Sequence, residues 1–160
     1  MNLWNRPFVR QLAVALGCGG LVAVATYSDQ WWLQLVPFVC VVPVLLTMRQ
    51  VRGFAQYWMG LAFFDAWILP TTTWYYTFMS PGVALASSFG FAALMANLFW
   101  AFQLQRLRRG SFGLAVVVFV VAWTALTALR LRMPVTEDWW IPHLGYAVWR
   151  NPGALQVVKL

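Results

Sequence analysis

Five long apolar tracts, which are separated by short breaks and together contain only two of the 15 charged residues, limit most strongly what this 160-residue chain can fold into. An α-helix rises about 1.5 Å per residue, so roughly 17–25 residues cross a hydrocarbon layer about 30 Å thick. Because lipid offers no partner to a backbone N–H or C=O group, each crossing segment must close its own hydrogen bonds as a helix. The tracts cover residues Phe8–Tyr27, 31–48, 54–78, 83–105 and 112–129.

The composition excludes a soluble globular domain, since 62% of the residues are hydrophobic and only 9% are charged. Alternating segments of about ten residues, the pattern of a membrane β-barrel, are absent from the sequence. We therefore predict an all-α fold: a polytopic transmembrane helical bundle of about five spans, forming a single transmembrane domain over residues 1–160. Residues 130–160 are predicted to form a periplasmic interfacial segment after the last span.

The basic residues are distributed unevenly between the breaks. Seven arginines lie at the start of the first tract and after the second and fourth tracts, at Arg6, Arg10, Arg49, Arg52, Arg106, Arg108 and Arg109. The breaks at 28–30 and 80–82 contain no Lys or Arg, although Arg130 and Arg132 run against the pattern. This asymmetry predicts a multi-pass membrane protein with a cytoplasmic N-terminus. It also accounts for the net charge of +7 without a nucleic-acid partner.

Polar groups inside the tracts are candidate site residues, and Asp65 is the most costly of them. A carboxylate at membrane depth costs roughly 2.5–3.5 kcal/mol on insertion scales, so it should face the bundle interior or water. Asp65 is either a polar site for substrate or proton, or a packing group that is protonated or hydrogen-bonded to Asn97 or Ser87. Residues 103–109 are interpreted as a cytoplasmic stop with a solvated charge cluster that ends the fourth helix.

The two cysteines lie inside apolar tracts, at Cys18 and Cys40, where thiols behave as small hydrophobes. One His and two isolated Cys do not supply the four ligands of a metal site, so no metal and no cofactor is expected. The small residues Gly17–Gly20 are expected to let another helix backbone approach the first helix closely.

After Met133 the chain becomes polar and aromatic together, and several prolines break any long helix. Such a segment is expected at the outer membrane interface. Its rings either anchor the chain there or form a lipid-contacting wall of an active site. The candidates that face lipid or substrate are Trp139, Trp140, His143 and Tyr146, together with Trp74 and Tyr76 at the end of the third tract.

Several motifs in this order resemble a known family. They are Pro43-Val44-Leu45-Leu46 before a basic turn, Trp74-Tyr75-Tyr76 before Ser80-Pro81-Gly82, and a Trp and an Arg seven residues apart at Trp123 and Arg130. Leu144-Gly145-Tyr146 and Asn151-Pro152-Gly153 follow. The arrangement is similar to the N-terminal transmembrane domain of bacterial apolipoprotein N-acyltransferase, although Thr127 stands where that family usually has Glu.

The resemblance implies a location in the bacterial inner (plasma) membrane and a role in lipoprotein biosynthesis, in which the family transfers an acyl chain from phospholipid to the N-terminus of diacylglyceryl-cysteine lipoproteins. The family's nitrilase-like domain carries a Glu–Lys–Cys triad, which this chain cannot supply, because Lys159 and Glu137 are its only Lys and Glu. The chain is therefore expected to be truncated, split or degenerate, and not to be an active enzyme alone.

Its expected partners are membrane phospholipid and a separate nitrilase-like chain or another membrane protein. A non-enzymatic scaffold or subunit is the alternative, followed by a small transporter.

Overall fold

A computed structural model describes the backbone of residues 6–28, 33, 36–51, 53–77 and 79–132. This part contains five α-helices and no β-strand: α1 Arg6–Tyr27, α2 Val36–Thr47, α3 Ala55–Thr71, α4 Pro81–Arg109 and α5 Phe112–Arg132. Short 3₁₀ turns follow α2 at Met48–Gln50 and α3 at Thr73–Thr77. The prediction of an all-α fold is confirmed.

Helix α3 is the centre of the bundle. It packs against both α1 and α4, while α2 packs on α1 and α5 packs on α4. The α3–α4 pair is antiparallel, since a Cβ at Gly60 would lie 2.7 Å from Phe99 Cδ2, whereas the Thr72 and Ser88 hydroxyls are 2.6 Å apart near the other end. This arrangement leaves α2 and α5 as the outer helices.

An aromatic cluster joins α3, α4 and α5. Neighbouring rings have centroids 4.9 to 6.4 Å apart, most of them tilted or edge-to-face, as aromatic quadrupoles prefer. Because lipid tails are as apolar as these side chains, the cluster stabilises the bundle through packing more than through escape from water. Its members are Phe63, Phe64, Trp67, Phe99, Phe102, Phe119 and Trp123.

Only one of the small residues in α1 makes the predicted close approach. A Cβ at Gly19 would overlap the Phe63 carbonyl oxygen and lie 2.9 Å from Ala66 Cβ, so α3 lies directly against this position. Gly17 and Gly20 have open space where a Cβ would stand. The contact is reinforced further along by Trp67, whose Nε1–H donates to Thr26 Oγ1 over 3.3 Å.

Helix α3 ends earlier than the third tract, which runs to residue 78. Pro70 has no N–H to donate, so the last turn is weakened there. Threonine hydroxyls bind the carbonyls at this helix end: Thr71 Oγ1 donates to Trp67 O over 2.9 Å, and Thr72 Oγ1 donates to Ile68 O over 2.8 Å. The chain then continues as the 3₁₀ turn.

Within the described ranges, two helices are long and apolar enough to cross a membrane, over Phe8–Tyr27 and Pro81–Arg106. Helix α4 has 29 residues, or about 43 Å, and ends at Gly110, whose φ of 65° suits a residue without a Cβ. Helix α2 has only 12 residues, or about 18 Å. Five complete crossings within one domain therefore remain a prediction.

Candidate functional site

A groove runs between the two outer helices, α2 and α5, and we call it the α2–α5 groove. Its volume is about 340 Å³ and its lining is almost entirely apolar. The hydroxyl of Thr124 donates to the Val120 carbonyl over 2.9 Å, so it is already satisfied within its own helix. The lining residues are Val41, Val42, Leu45, Val116, Phe119, Val120, Trp123 and Thr124.

A second groove, called the Asp65 groove, lies over α3 between α1 and α4. Its volume is about 530 Å³. The α3 side is formed by Trp58, Ala62 and Asp65, which share one helix face through their i, i+4 and i+7 spacing. The lining residues are Phe8, Leu12, Leu16, Trp58, Leu61, Ala62, Asp65 and Phe89.

The predicted pairing of Asp65 is wrong. Asn97 is exposed, and its Nδ2 group donates to Ala93 O over 3.0 Å and to Leu94 O over 3.1 Å within its own helix. Asp65 Oδ1 is buried and has no hydrogen-bond partner among the described residues. The Asp65 carboxyl therefore lines an apolar groove, and neither Ser87 nor any other described residue donates a hydrogen bond to its buried Oδ1.

Three arginines with described side chains, Arg10, Arg49 and Arg106, lie at one end of the bundle, which we call the arginine end. Arg106 Nη1 donates to Met48 O over 3.0 Å, joining the end of α4 to the end of α2. The Arg49 guanidinium carbon lies 4.7 Å from the centroid of the Phe112 ring at the start of α5. Arg10 lies at the start of α1, beside the same end of α2. The sequence grouped these three arginines correctly.

The sequence did not predict that two glutamines are buried at this end of the bundle. Gln56 is 0% exposed, and its Nε2 donates to the carbonyls of Met48 and Val51, each over 2.7 Å, which ties the 3₁₀ turn to α3. Gln103 is 1% exposed, so the prediction that it begins a solvated cluster is wrong. An amide inside an apolar tract was the available signal for both residues.

The predicted aromatic site residues lie mostly outside the described part. Tyr76 is exposed on the 3₁₀ turn after α3. The backbone of Trp74 belongs to the same turn, and its side chain lies outside the described residues. The remaining candidates, Trp139, Trp140, His143 and Tyr146, also lie outside them.

Comparison with protein families gives a match to the apolipoprotein N-acyltransferase N-terminal domain over residues 18–160. The chain belongs to this family. No curated protein and no solved structure matches the chain. The family domain is membrane-associated, in agreement with the two long apolar helices.

The match to this acyltransferase domain begins within α1 and continues through residue 160, so it includes α2 to α5 and the aromatic tail.

The two cysteines lie side by side between α1 and α2, with Cys18 half-buried and Cys40 buried. No group of three or more His, Cys, Asp or Glu side chains that could hold a metal occurs in the described part of the chain.

Proposed function

We propose that these 160 residues form a multi-pass platform in the bacterial inner membrane that holds phospholipid acyl chains for the apolipoprotein N-acyltransferase reaction of lipoprotein biosynthesis. The observation that carries the proposal is an open apolar groove in a chain that belongs to this family. The groove volume falls within the range of about 300–1,000 Å³ that small-molecule sites occupy.

The α2–α5 groove suits a hydrocarbon chain because its surface is apolar: the Nε1–H of Trp123 has no hydrogen-bond partner among the described residues, but that atom is buried and not exposed in the groove. Its single hydroxyl, that of Thr124, is bonded within α5, and the neighbouring surface is formed by branched and aromatic side chains. Helix α5 leads directly into the segment after Arg132. We propose that Trp139, Trp140, His143 and Tyr146 of that segment meet the lipid headgroup, with Trp74 and Tyr76 on the same side.

We also propose that the acyl transfer itself needs a nitrilase-like unit outside these residues. The chemistry requires a thiolate activated by a nearby base in a pocket open to water. Cys18 and Cys40 instead lie within helices that we assign to the membrane, and no described Lys, His or Glu stands near them. The platform would position the lipid, and the partner unit would supply the nucleophile.

The proposed orientation places the N-terminus in the cytoplasm. Supporting it, Arg10, Arg49 and Arg106 lie at the same end of the bundle, as the positive-inside rule requires of cytoplasmic residues. The opposite end carries the 3₁₀ turn with Tyr76. The segment after α5 then reaches the periplasmic face.

A phospholipid with a photoactivatable group in its acyl chain tests the platform directly. Val120 lines the α2–α5 groove and is 54% exposed, so Val120→Trp should fill the groove and lower labelling several-fold. Val117 is 56% exposed on the same helix but does not line the groove, so Val117→Trp is the matched control. The measurement is the labelled fraction of purified protein in vesicles.

Two results would contradict this proposal. Equal labelling of both tryptophan variants would show that the lipid does not occupy the groove. Transfer of an acyl chain to a lipoprotein peptide by the purified 160-residue protein in the same vesicles would show that it needs no nitrilase-like unit.

The Asp65 groove favours a second candidate, a scaffold that binds the helix of another membrane protein. A carboxyl at membrane depth is stabilised by a hydrogen-bond donor, and Asp65 has none among the described residues. A partner helix that presents a basic or amide side chain to the groove would provide one. Loss of a co-purifying membrane protein on Asp65→Leu, with lipid labelling unchanged, would support this role.

A further inference from the structure

A polar pocket at the arginine end lies between the start of α1 and the end of α2, apart from both grooves. Its volume is about 300 Å³, and it is lined by Arg10, Gln11, Val14, Thr47 and Gln50. Gln11 is 7% exposed and donates its Nε2–H to Gln50 Oε1 over 3.2 Å. This amide pair links the two helices and forms one side of the pocket.

The positive charge of this pocket is not neutralised by the described protein. The guanidinium of Arg49 lies over Phe112, and that of Arg106 binds the Met48 carbonyl. Arg10 is exposed and makes no hydrogen bond or ion pair with the residues that the structure describes. Asp65, the one acidic residue in the described ranges, lies ten residues into α3, or about 15 Å along that helix.

We propose that this pocket binds the phosphate group of an anionic phospholipid from the leaflet at the arginine end. A guanidinium offers paired N–H donors that match two phosphate oxygens. Because Gln11 occupies Oε1 of Gln50, the Nε2 group of Gln50 is left as a second donor. The Thr47 hydroxyl already donates to Val44 O over 2.8 Å and adds no further donor.

The remaining wall of the pocket suits the lipid beyond its phosphate. Val14 lies one turn after Arg10 on α1 and gives an apolar surface for the glycerol and the first methylene groups. Basic pockets between transmembrane helices on the cytoplasmic side are a recurrent site for lipid headgroups. The shared chemistry is a phosphate anion, whether it belongs to a lipid or is free.

The test compares retention of phosphatidylglycerol and phosphatidylethanolamine by the full chain in detergent, counted by native mass spectrometry. The wild-type protein should retain phosphatidylglycerol preferentially. Arg10→Gln should lower that retention at least about ten-fold, because it removes the positive charge and the paired donors of the guanidinium. Arg49→Gln removes the same charge from the same end without touching the pocket and should leave retention unchanged.

Gln50→Leu is a second probe, because it removes an exposed donor while Arg10 remains, and it should lower retention less than Arg10→Gln does. It also tests the site if Arg10→Gln fails to fold. Excess inorganic phosphate separates the two sources of the anion: competition shows that the pocket accepts free phosphate, and no competition shows that it requires the lipid. Equal loss in Arg10→Gln and Arg49→Gln, or equal retention of both lipids by the wild type, would overturn the proposal.

Discussion

The two grooves of this bundle differ in the polar group that each leaves without a described hydrogen-bond partner: a neutral indole N–H at Trp123 in the α2–α5 groove and a carboxyl at Asp65 in the other. The α2–α5 groove is apolar, and its only hydroxyl, that of Thr124, is bonded within its own helix. The Asp65 groove is larger and equally apolar along most of its length, but it contains a carboxyl without a described partner. An unpartnered carboxyl at membrane depth costs more than an unpartnered neutral N–H, so the Asp65 groove favours a donor from elsewhere more strongly than the α2–α5 groove does.

The largest expected effect concerns the close contact between α1 and α3, two of the helices that line the Asp65 groove. Gly19→Ala should destabilise the bundle by about 1–3 kcal/mol, the usual cost of overpacking, because a Cβ there meets the α3 backbone at Phe63. The measurement is the unfolding free energy in detergent micelles titrated with sodium dodecyl sulfate.

Gly20→Ala is its matched control, one residue further along α1 with open space around the new Cβ. This variant should be neutral or more stable by up to about 1 kcal/mol, because alanine favours the helix over glycine. If Gly19→Ala were no less stable than Gly20→Ala, the close α1–α3 contact would be refuted.

Replacing Asp65 should produce an effect of opposite sign. Asp65→Leu should stabilise the isolated protein by about 2 kcal/mol, because an unpartnered carboxyl at membrane depth is costly and leucine is not. The same detergent titration measures it. Asn97→Leu should change stability by less than about 1 kcal/mol, since that amide binds carbonyls of its own helix.

Destabilisation by Asp65→Leu would mean that the carboxyl has a stabilising partner within this chain. The distinction between the two grooves would then fail, and so would the scaffold role assigned to the Asp65 groove.

The smallest effect is expected in the α2–α5 groove itself. Thr124→Val keeps the shape of the side chain and removes a hydroxyl that is already satisfied, so stability should change by no more than about 0.5 kcal/mol. Labelling by the photoactivatable phospholipid should also stay unchanged. A marked loss of labelling would indicate that the hydroxyl contacts a polar group of the lipid.

Local composition was sufficient to predict the helices and their approximate number. An apolar tract in a membrane forms a helix whatever the positions of the neighbouring helices, because its backbone hydrogen bonds are closed within the segment. For the same reason the common end of Arg10, Arg49 and Arg106 followed from alternation of the tracts alone. The early end of α3 was harder to predict from the sequence. It depends on Pro70, which donates no N–H, and on the hydroxyls of Thr71 and Thr72, which bind carbonyls in the last turn.

Tertiary packing decided which residues matter within those helices. Gly17, Gly19 and Gly20 are alike in sequence, yet only Gly19 faces α3. Asp65 and Gln56 are both polar residues in one apolar tract. Gln56 lies opposite the carbonyls of Met48 and Val51 and binds both, whereas Asp65 Oδ1 has no described partner. The face that a helix turns toward its neighbour depends on contacts between distant parts of the chain, so the two grooves and their polar groups emerge only once the helices are packed.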